Sequence, residues 1–478
     1  MKKYKVKSVL ESLSVLIICM SSCNKIVQID PPTTSITTAE VFSDSANASA
    51  TILGMYSKMV NTGGAAFFFD GALTIYCGLS ADELINFQDD PNLKQVYTNT
   101  LLSNNIYPEA FFFMPAYQTI YRANACIEGI DASSRLSASV KNQFKREAKF
   151  IRALSYFYLI NLFGDIPYVT TSQWQQTSAA ATTPKVQVYQ NIIADLKDAQ
   201  NLPNDYSISF GERTRVNQWA ATALLAKVYL YTNDYAGALA ASNSVISNTG
   251  LFSLNPDLNS VFLKDNPEAI LQWNINGVYY PKNATAEGYT LIPSDPTSFA
   301  QYYLSPQLLS AFEQGDLRKT AWVDSTNYSG VVYYYPYKYK VGPPTAYVGD
   351  VTEYYMVLRL AEQYLIRAEA EANGAGDGIR AAIDDLNKIR SRAGLPVYAG
   401  ATDKSSILTA IYHERQIELF AEWGSRWFDL KRTGQIDSIM SLVTPSKGGG
   451  SWNSYQQLYP IPLTELQFDP NLKQNTGY

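Results

Sequence analysis

The run HERQIELFAEWGSRWFDLKRTG, from His413 to Gly434, concentrates the residue types that could do chemistry. Glu414, Glu418 and Glu422 recur every four residues, a spacing that sets them along one face of a helix. With His413 and Asp429 they could hold a divalent metal or act as a general acid and base. The same stretch also carries the charges that would neutralise them. Arg415 with Glu418 at i,i+3, Glu422 with Arg426 at i,i+4, and Arg367 with Glu371 at i,i+4 would form a partly buried ionic lattice locking helix to helix. Arginines match the carboxylates in number, which favours the lattice. His413 is the only histidine in the chain, so a His-rich metal site or a His-based triad is excluded unless this residue serves. No catalytic residue, no metal ligand and no cofactor is assigned.

Other catalytic signatures are absent from the sequence. There is no Gly-rich phosphate loop, no nucleophile elbow and no paired-cysteine metal site. A carboxylate pair suited to glycoside hydrolysis stays open, because separation in space is invisible in sequence.

Helices must position these groups, and between Tyr354 and Gly434 three blocks show helical apolar spacing. Met356, Leu360, Tyr364 and Ala368 mark the first; Ile379, Ile383, Leu386 and Ile389 the second; Ile407, Ile411, Leu419 and Phe420 the third. Asn373 and Gly374 end the first, Gly394 and Pro396 the second, and Thr402 or Asp403 can cap the third. Upstream, Ala39–Val60, Ala110–Ile130 and Phe144–Leu162 read as further helices. In Arg215–Ser247, Ala226, Tyr229, Asn233, Asp234 and Ala238 fall at tetratricopeptide spacing, with alanines where two helices touch and a tight Asn-Asp turn between them. The pairs at 110–162 and 185–232 and the block at 354–391 look like further copies. The expected fold is mainly α: a scaffold of helix pairs over about 110–247 and 354–434, holding long loops and a few short strands rigidly.

One long insertion, about 256–350, interrupts the scaffold. Glu268–Ile275 and Val331–Tyr339 read as its strands, with Trp273 in the core. Tyr, Trp, Asn and Gly crowd its loops, and the chain holds thirty-five tyrosines. A pyranose has apolar C–H faces and a rim of hydroxyls, so rigid rings take the faces while amides, carboxylates and Arg take the rim. The candidates are Asn86 and Phe87 after the Asp82-Glu83 pair, Tyr279, Tyr280 and Tyr289 after the central strand, and Arg318 with Trp322.

The first 22 residues read as an export signal, with Lys2, Lys3, Lys5 and Lys7 ahead of a short apolar core. Met20-Ser21-Ser22-Cys23 resembles a bacterial lipobox, which makes Cys23 the expected lipid attachment. Residues 23–38 form the lipidated terminus and a polar linker, and 39–478 a single body on a tether. Removing the signal takes away four lysines and one glutamate and moves the formal charge from −5 to −8. An acidic chain without basic runs argues against nucleic acid. With 46% apolar and 17% charged residues the chain is globular, not disordered. Cys77 and Cys126 could pair in an exported protein or remain buried thiols.

The run at 413–434, the C-terminal YPIPLTELQFDPNLKQNTGY and the stretch EAKFIRALSYFYLINLFGDIPY from Glu147 together resemble the SusD/RagB family of Bacteroidetes outer-membrane lipoproteins. The resemblance implies a SusD-like fold facing the cell exterior and capture of nutrient glycans, or of a peptide-like cargo, without cleavage. It also implies a SusC-like TonB-dependent outer-membrane transporter as partner. A surface glycoside hydrolase is the alternative.

Overall fold

The computed structural model describes residues 38–60, 67–275, 283–298 and 300–478. The export signal, Cys23, the linker to residue 37, Tyr279 and Tyr280 lie outside them. After a single turn at Thr38–Val41, helix α1 spans Ser45–Val60, α2 Ala72–Ser80, strand β1 Leu84–Asn86, and α3 Pro91–Tyr97. Then come α4 (Met114–Ala132), which continues from a π-helical turn at Pro108–Phe113, α5 (Ala138–Phe163), α6 (Lys185–Ala199), α7 (Gln218–Tyr231) and α8 (Tyr235–Ile246).

The insertion contributes β2 (Ala269–Trp273), α9 (Ala286–Leu291), β3 (Tyr302–Leu304), α10 (Leu317–Trp322), β4 (Val323–Tyr328) and β5 (Val331–Pro336). The C-terminal part contains β6 (Tyr355–Arg359), α11 (Leu360–Ala372), α12 (Ile379–Arg392), α13 (Lys404–Glu418), α14 (Ser425–Arg432), α15 (Ile436–Ser446) and the short α16 (Leu463–Phe468).

The scaffold is an unbroken row in which α4, α5, α6, α7, α8, α11, α12 and α13 each pack on the next. Sequence explains the local geometry. Ser137 caps α5 by accepting from the Val140 amide, and Gly164, at φ 77°, ends it. Between α7 and α8, Asn233 takes φ 58° and Asp234 accepts from the Gly237 amide, the tight turn expected there. Ala226, Ala238 and Ala241 then let α7 and α8 approach closely, with Ile366 and Ala370 of α11 packed against them. The row therefore skips the whole insertion: α8 packs directly on α11 although about a hundred residues separate them.

The expected helix at 39–60 is interrupted between Val41 and Ser45, α5 begins at Ala138 instead of Phe144, and two C-terminal blocks differ more. The block starting at Tyr354 is not helical from its first residue, because Tyr355–Arg359 forms β6, antiparallel to β2. All five residues of each strand are buried, so these apolar runs carry no alternation to distinguish strand from helix. The third block is two helices. Between them Ala421, Trp423 and Gly424 take φ of 49°, 52° and 66°. A side chain at 424 would lie 2.6 Å from the Cys77 β-carbon and 2.8 Å from the Leu73 carbonyl of α2, so close approach requires glycine there. Trp423 fixes the break by donating from Nε1 to the Met356 carbonyl at 2.7 Å.

The expected strands at 268–275 and 331–339 are present as β2 and β5. Strand β3 pairs with β1, and β4 with β5, all antiparallel. Cys77 and Cys126 are free and buried.

Candidate functional site

The carboxylates at 414–429 form an ionic lattice, and its partners come from distant elements. Glu418 meets Arg318 Nη1 at 2.9 Å and Arg359 Nη1 at 2.6 Å, and also accepts from Arg392. Glu422 accepts from Arg359 Nε at 2.7 Å and from Lys338. Glu414 lies 2.6 Å from Arg318, and Asp429 bridges Arg415 and Arg432, each at 2.7 Å. The local pairs read from spacing do not form. Arg367 pairs with Asp385, Arg415 with Asp429, and Arg426 with Asp82.

Burial by itself would raise the Glu418 carboxyl, but Arg392, Arg359 and Arg318 hold it well below the usual carboxylate range. A carboxylate held ionised by three guanidiniums and sealed from water cannot shuttle protons. His413 lies at the lattice margin, its Nε2 2.8 Å from the Ala311 carbonyl and its Nδ1 3.9 Å from Glu313, which Arg390 links to Glu414. Among the described residues no group of His, Cys, Asp and Glu is arranged to hold a metal ion.

Arg318 and Trp322 are corrected as ligand candidates. Arg318 is 1% exposed inside the lattice. Trp322 is fully buried, donates to the Leu258 carbonyl at 2.8 Å, and packs its ring near Phe262 and under the Lys338 ammonium. Tyr289 is half-buried on α9.

Asn86 and Phe87 lie at an exposed aromatic edge. The Asn86 side chain accepts from the Gln88 amide at 2.9 Å and donates to the Gln88 carbonyl at 3.2 Å. That clip turns the chain out of β1 and presents Phe87, which is 39% exposed. Its ring stands edge-on against Tyr303 of β3 at 5.1 Å and Tyr333 of β5 at 5.3 Å, and those two rings lie 4.6 Å apart. Gln88 donates to the Tyr302 hydroxyl at 2.5 Å. Asp89 is exposed beside it. Asp90 caps α3 and accepts from the Tyr107 hydroxyl at 2.8 Å.

The edge stands on rigid elements. Arg426 binds both oxygens of Asp82 at 2.8 Å, tying the start of β1 to α14. Lys447 donates to the Leu79, Ser80 and Ala81 carbonyls that end α2. A fixed ring flanked by an amide and a carboxylate can hold a flat, hydroxyl-rimmed molecule with little loss of entropy. Tyr303 and Tyr333 were missed by sequence reasoning. The tyrosine run in β5 was the only signal for Tyr333, and nothing in the sequence pairs β3 with β1.

Comparison with known proteins agrees with this architecture. A model described as SusD family matches residues 310–478, and one described as starch-binding associating with outer membrane matches residues 42–230. A SusD-like protein P2 of Formosa agariphila is 27% identical, with 100% of each chain covered. A SusD superfamily crystal structure from Bacteroides vulgatus superposes with a TM-score of 0.79 at 21% identity, covering 91% of this chain and 100% of that one. A surface glycan-binding protein A of Bacteroides thetaiotaomicron, in complex with laminarihexaose, superposes with a TM-score of 0.74 at 20% identity, covering 90% and 99%. The chain belongs to the SusD family. Among the described residues no helix is long and apolar enough to cross a membrane.

Proposed function

We propose that this protein is a cell-surface lipoprotein that binds oligosaccharides and passes them, uncleaved, to a SusC-like TonB-dependent transporter in the outer membrane. The observation that carries the reading is the Phe87 ring, exposed on two packed tyrosines, with Asn86, Gln88 and Asp89 beside it. The relative bound to laminarihexaose and the starch-binding family description support a glycan as the ligand. Carboxylates that are conspicuous in sequence but locked on arginines support a reading without turnover. Lipidation at Cys23 would hold the body at the membrane, and Tyr279, Tyr280 and Tyr289 are proposed as further ligand contacts.

The test is calorimetric titration of the soluble form beginning at Asn24 against plant, host and microbial oligosaccharides, with the same mixtures assayed for sugar release. Saturable binding without release, weakened by Phe87→Ala, is the expected result. Release of shorter sugars would establish the hydrolase instead, and no binding across the panel would redirect the search to peptide cargo.

A further inference from the structure

Two grooves run along the outer side of α4 and share Tyr121 and Arg122 in their walls. The near one, about 310 Å³, lies against Ala125 and Cys126 and has Val41, Phe42 and Met55 opposite. The far one, about 690 Å³, reaches back to Met114 and Tyr117 and ends at Phe468 and Leu472, on and beyond α16. Its apolar walls face water: Met114 is 42%, Tyr121 56% and Phe468 83% exposed. Contiguous exposed apolar surface of this kind marks a place where something docks.

The charges along the channel are ordered. Arg122 stands between the two grooves, in the walls of both, and Glu465 and Asp469 line the far one, on and just beyond α16. Burial raises the Glu465 carboxyl, and repulsion from Glu109 and Asp469 adds to it. That end of the channel would be stabilised by a cation.

The chain that precedes the described residues matches the channel in place, chemistry and order. Val41 and Phe42, at the start of the described chain, already line the near groove. Residues 24–37 read NKIVQIDPPTTSIT, with apolar Ile26, Val27, Ile29 and Ile36, two prolines, one anion and one cation. We propose that this segment fills the two grooves, with Ile36 nearest Phe42, Asp30 on Arg122, and Lys25 among Glu109, Glu465 and Asp469. The order of charges along the segment is the order met along the channel. Reach is ample: fourteen extended residues span roughly 46 Å, and the α4 stretch from Met114 to Cys126 only about 18 Å. Pro31 and Pro32 keep the segment extended and lack amides that would need partners in an apolar groove.

The consequence goes beyond ligand capture. Residues 24–37 become a strap rather than a free tether, and the chain leaves the body beside α16, so that face would turn toward any N-terminal anchor.

Hydrogen exchange on two soluble forms, one beginning at Asn24 and one at Thr38, tests this without any sugar, so its failure is separable from failure of the glycan reading. In the longer form, peptides covering 114–126 and 463–472 should exchange about tenfold more slowly. Arg122→Asp should remove that protection, and Asp30→Arg together with Arg122→Asp should restore it. A synthetic peptide of residues 24–37 added to the shorter form should also restore it. Equal exchange in the two forms would overturn the proposal. So would protection of the shorter form that grows with protein concentration, which would assign the grooves to a second copy of the chain.

Discussion

Arg359 and Glu418 stand 59 residues apart in the chain and meet with Nη1 2.6 Å from Oε1, both sealed from water. Arg359 is the last residue of β6 and Glu418 the last of α13, so the contact joins the central strand pair to the end of the helix row. Glu418 also serves Arg318 and Arg392. One carboxylate therefore touches three guanidiniums from three different elements.

Removing that carboxylate leaves the three buried guanidiniums one counter-charge short, although Asp316, Glu414, Glu268 and Glu422 still touch them. Glu418→Ala should cost roughly 3–5 kcal/mol of stability, the range for breaking a buried ion pair. Urea unfolding followed by far-UV circular dichroism would read this as a lower midpoint with an unchanged slope.

Binding and stability should separate at Phe87 and Trp322. Phe87→Ala should weaken glycan affinity about tenfold, or about 1.4 kcal/mol, with a melting temperature near that of the parent. Trp322→Ala empties a fully buried site and should cost roughly 3–5 kcal/mol of stability. Its binding, measured below its own melting temperature, should be largely retained. A Trp322→Ala protein that melts like the parent yet fails to bind would contradict the placement of the site.

Stability should fall as pH rises through neutrality, in part because of Glu83. Burial, with Asp82 beside it, pushes the Glu83 carboxyl up to about 8. The unfolded chain releases that proton above about 4.5, so between about 4.5 and 8 the native state binds more protons than the unfolded one. The contribution of Glu83 is then fullest below 4.5 and is lost as pH approaches 8. Glu83→Gln should flatten the profile across that window in chemical denaturation at a series of pH values.

Lys447 caps the end of α2, and its loss should be felt at the aromatic edge. Lys447→Met leaves the carbonyls of residues 79–81 without their donor, at a cost of roughly 1–3 kcal/mol. Hydrogen exchange should rise over residues 79–88, and glycan affinity should fall with it. Affinity unchanged alongside faster exchange would show that the edge holds its shape without this tie.

The two thiols of the body should stay silent until it unfolds. Cys77 is fully buried, and burial pushes its thiol up to about 12. In the form beginning at Asn24, a disulfide reagent should titrate two thiols in denaturant and react only slowly in the native state.

What the sequence determined by itself was the scaffold and its composition. Alanine spacing and the Asn233-Asp234 turn specified the α7 and α8 pair, because turns and the 3.6-residue period are local, whereas the first turns of α5, capped by Ser137 ahead of the expected start at Phe144, went unread. Phe87 was legible too, as an aromatic in amide-rich loop chemistry. Tertiary structure decided the rest. It paired Arg359 with Glu418 instead of Arg415 with Glu418, since a buried charge is satisfied by whichever partner the packing brings within reach. It made Tyr355–Arg359 a strand, because a doubly buried strand is apolar throughout and only β2 beside it supplies the hydrogen bonds. It placed Trp322 and Arg318 in the interior and stood Phe87 on Tyr303 and Tyr333. No local pattern encodes that meeting, which comes from three strands far apart in the chain.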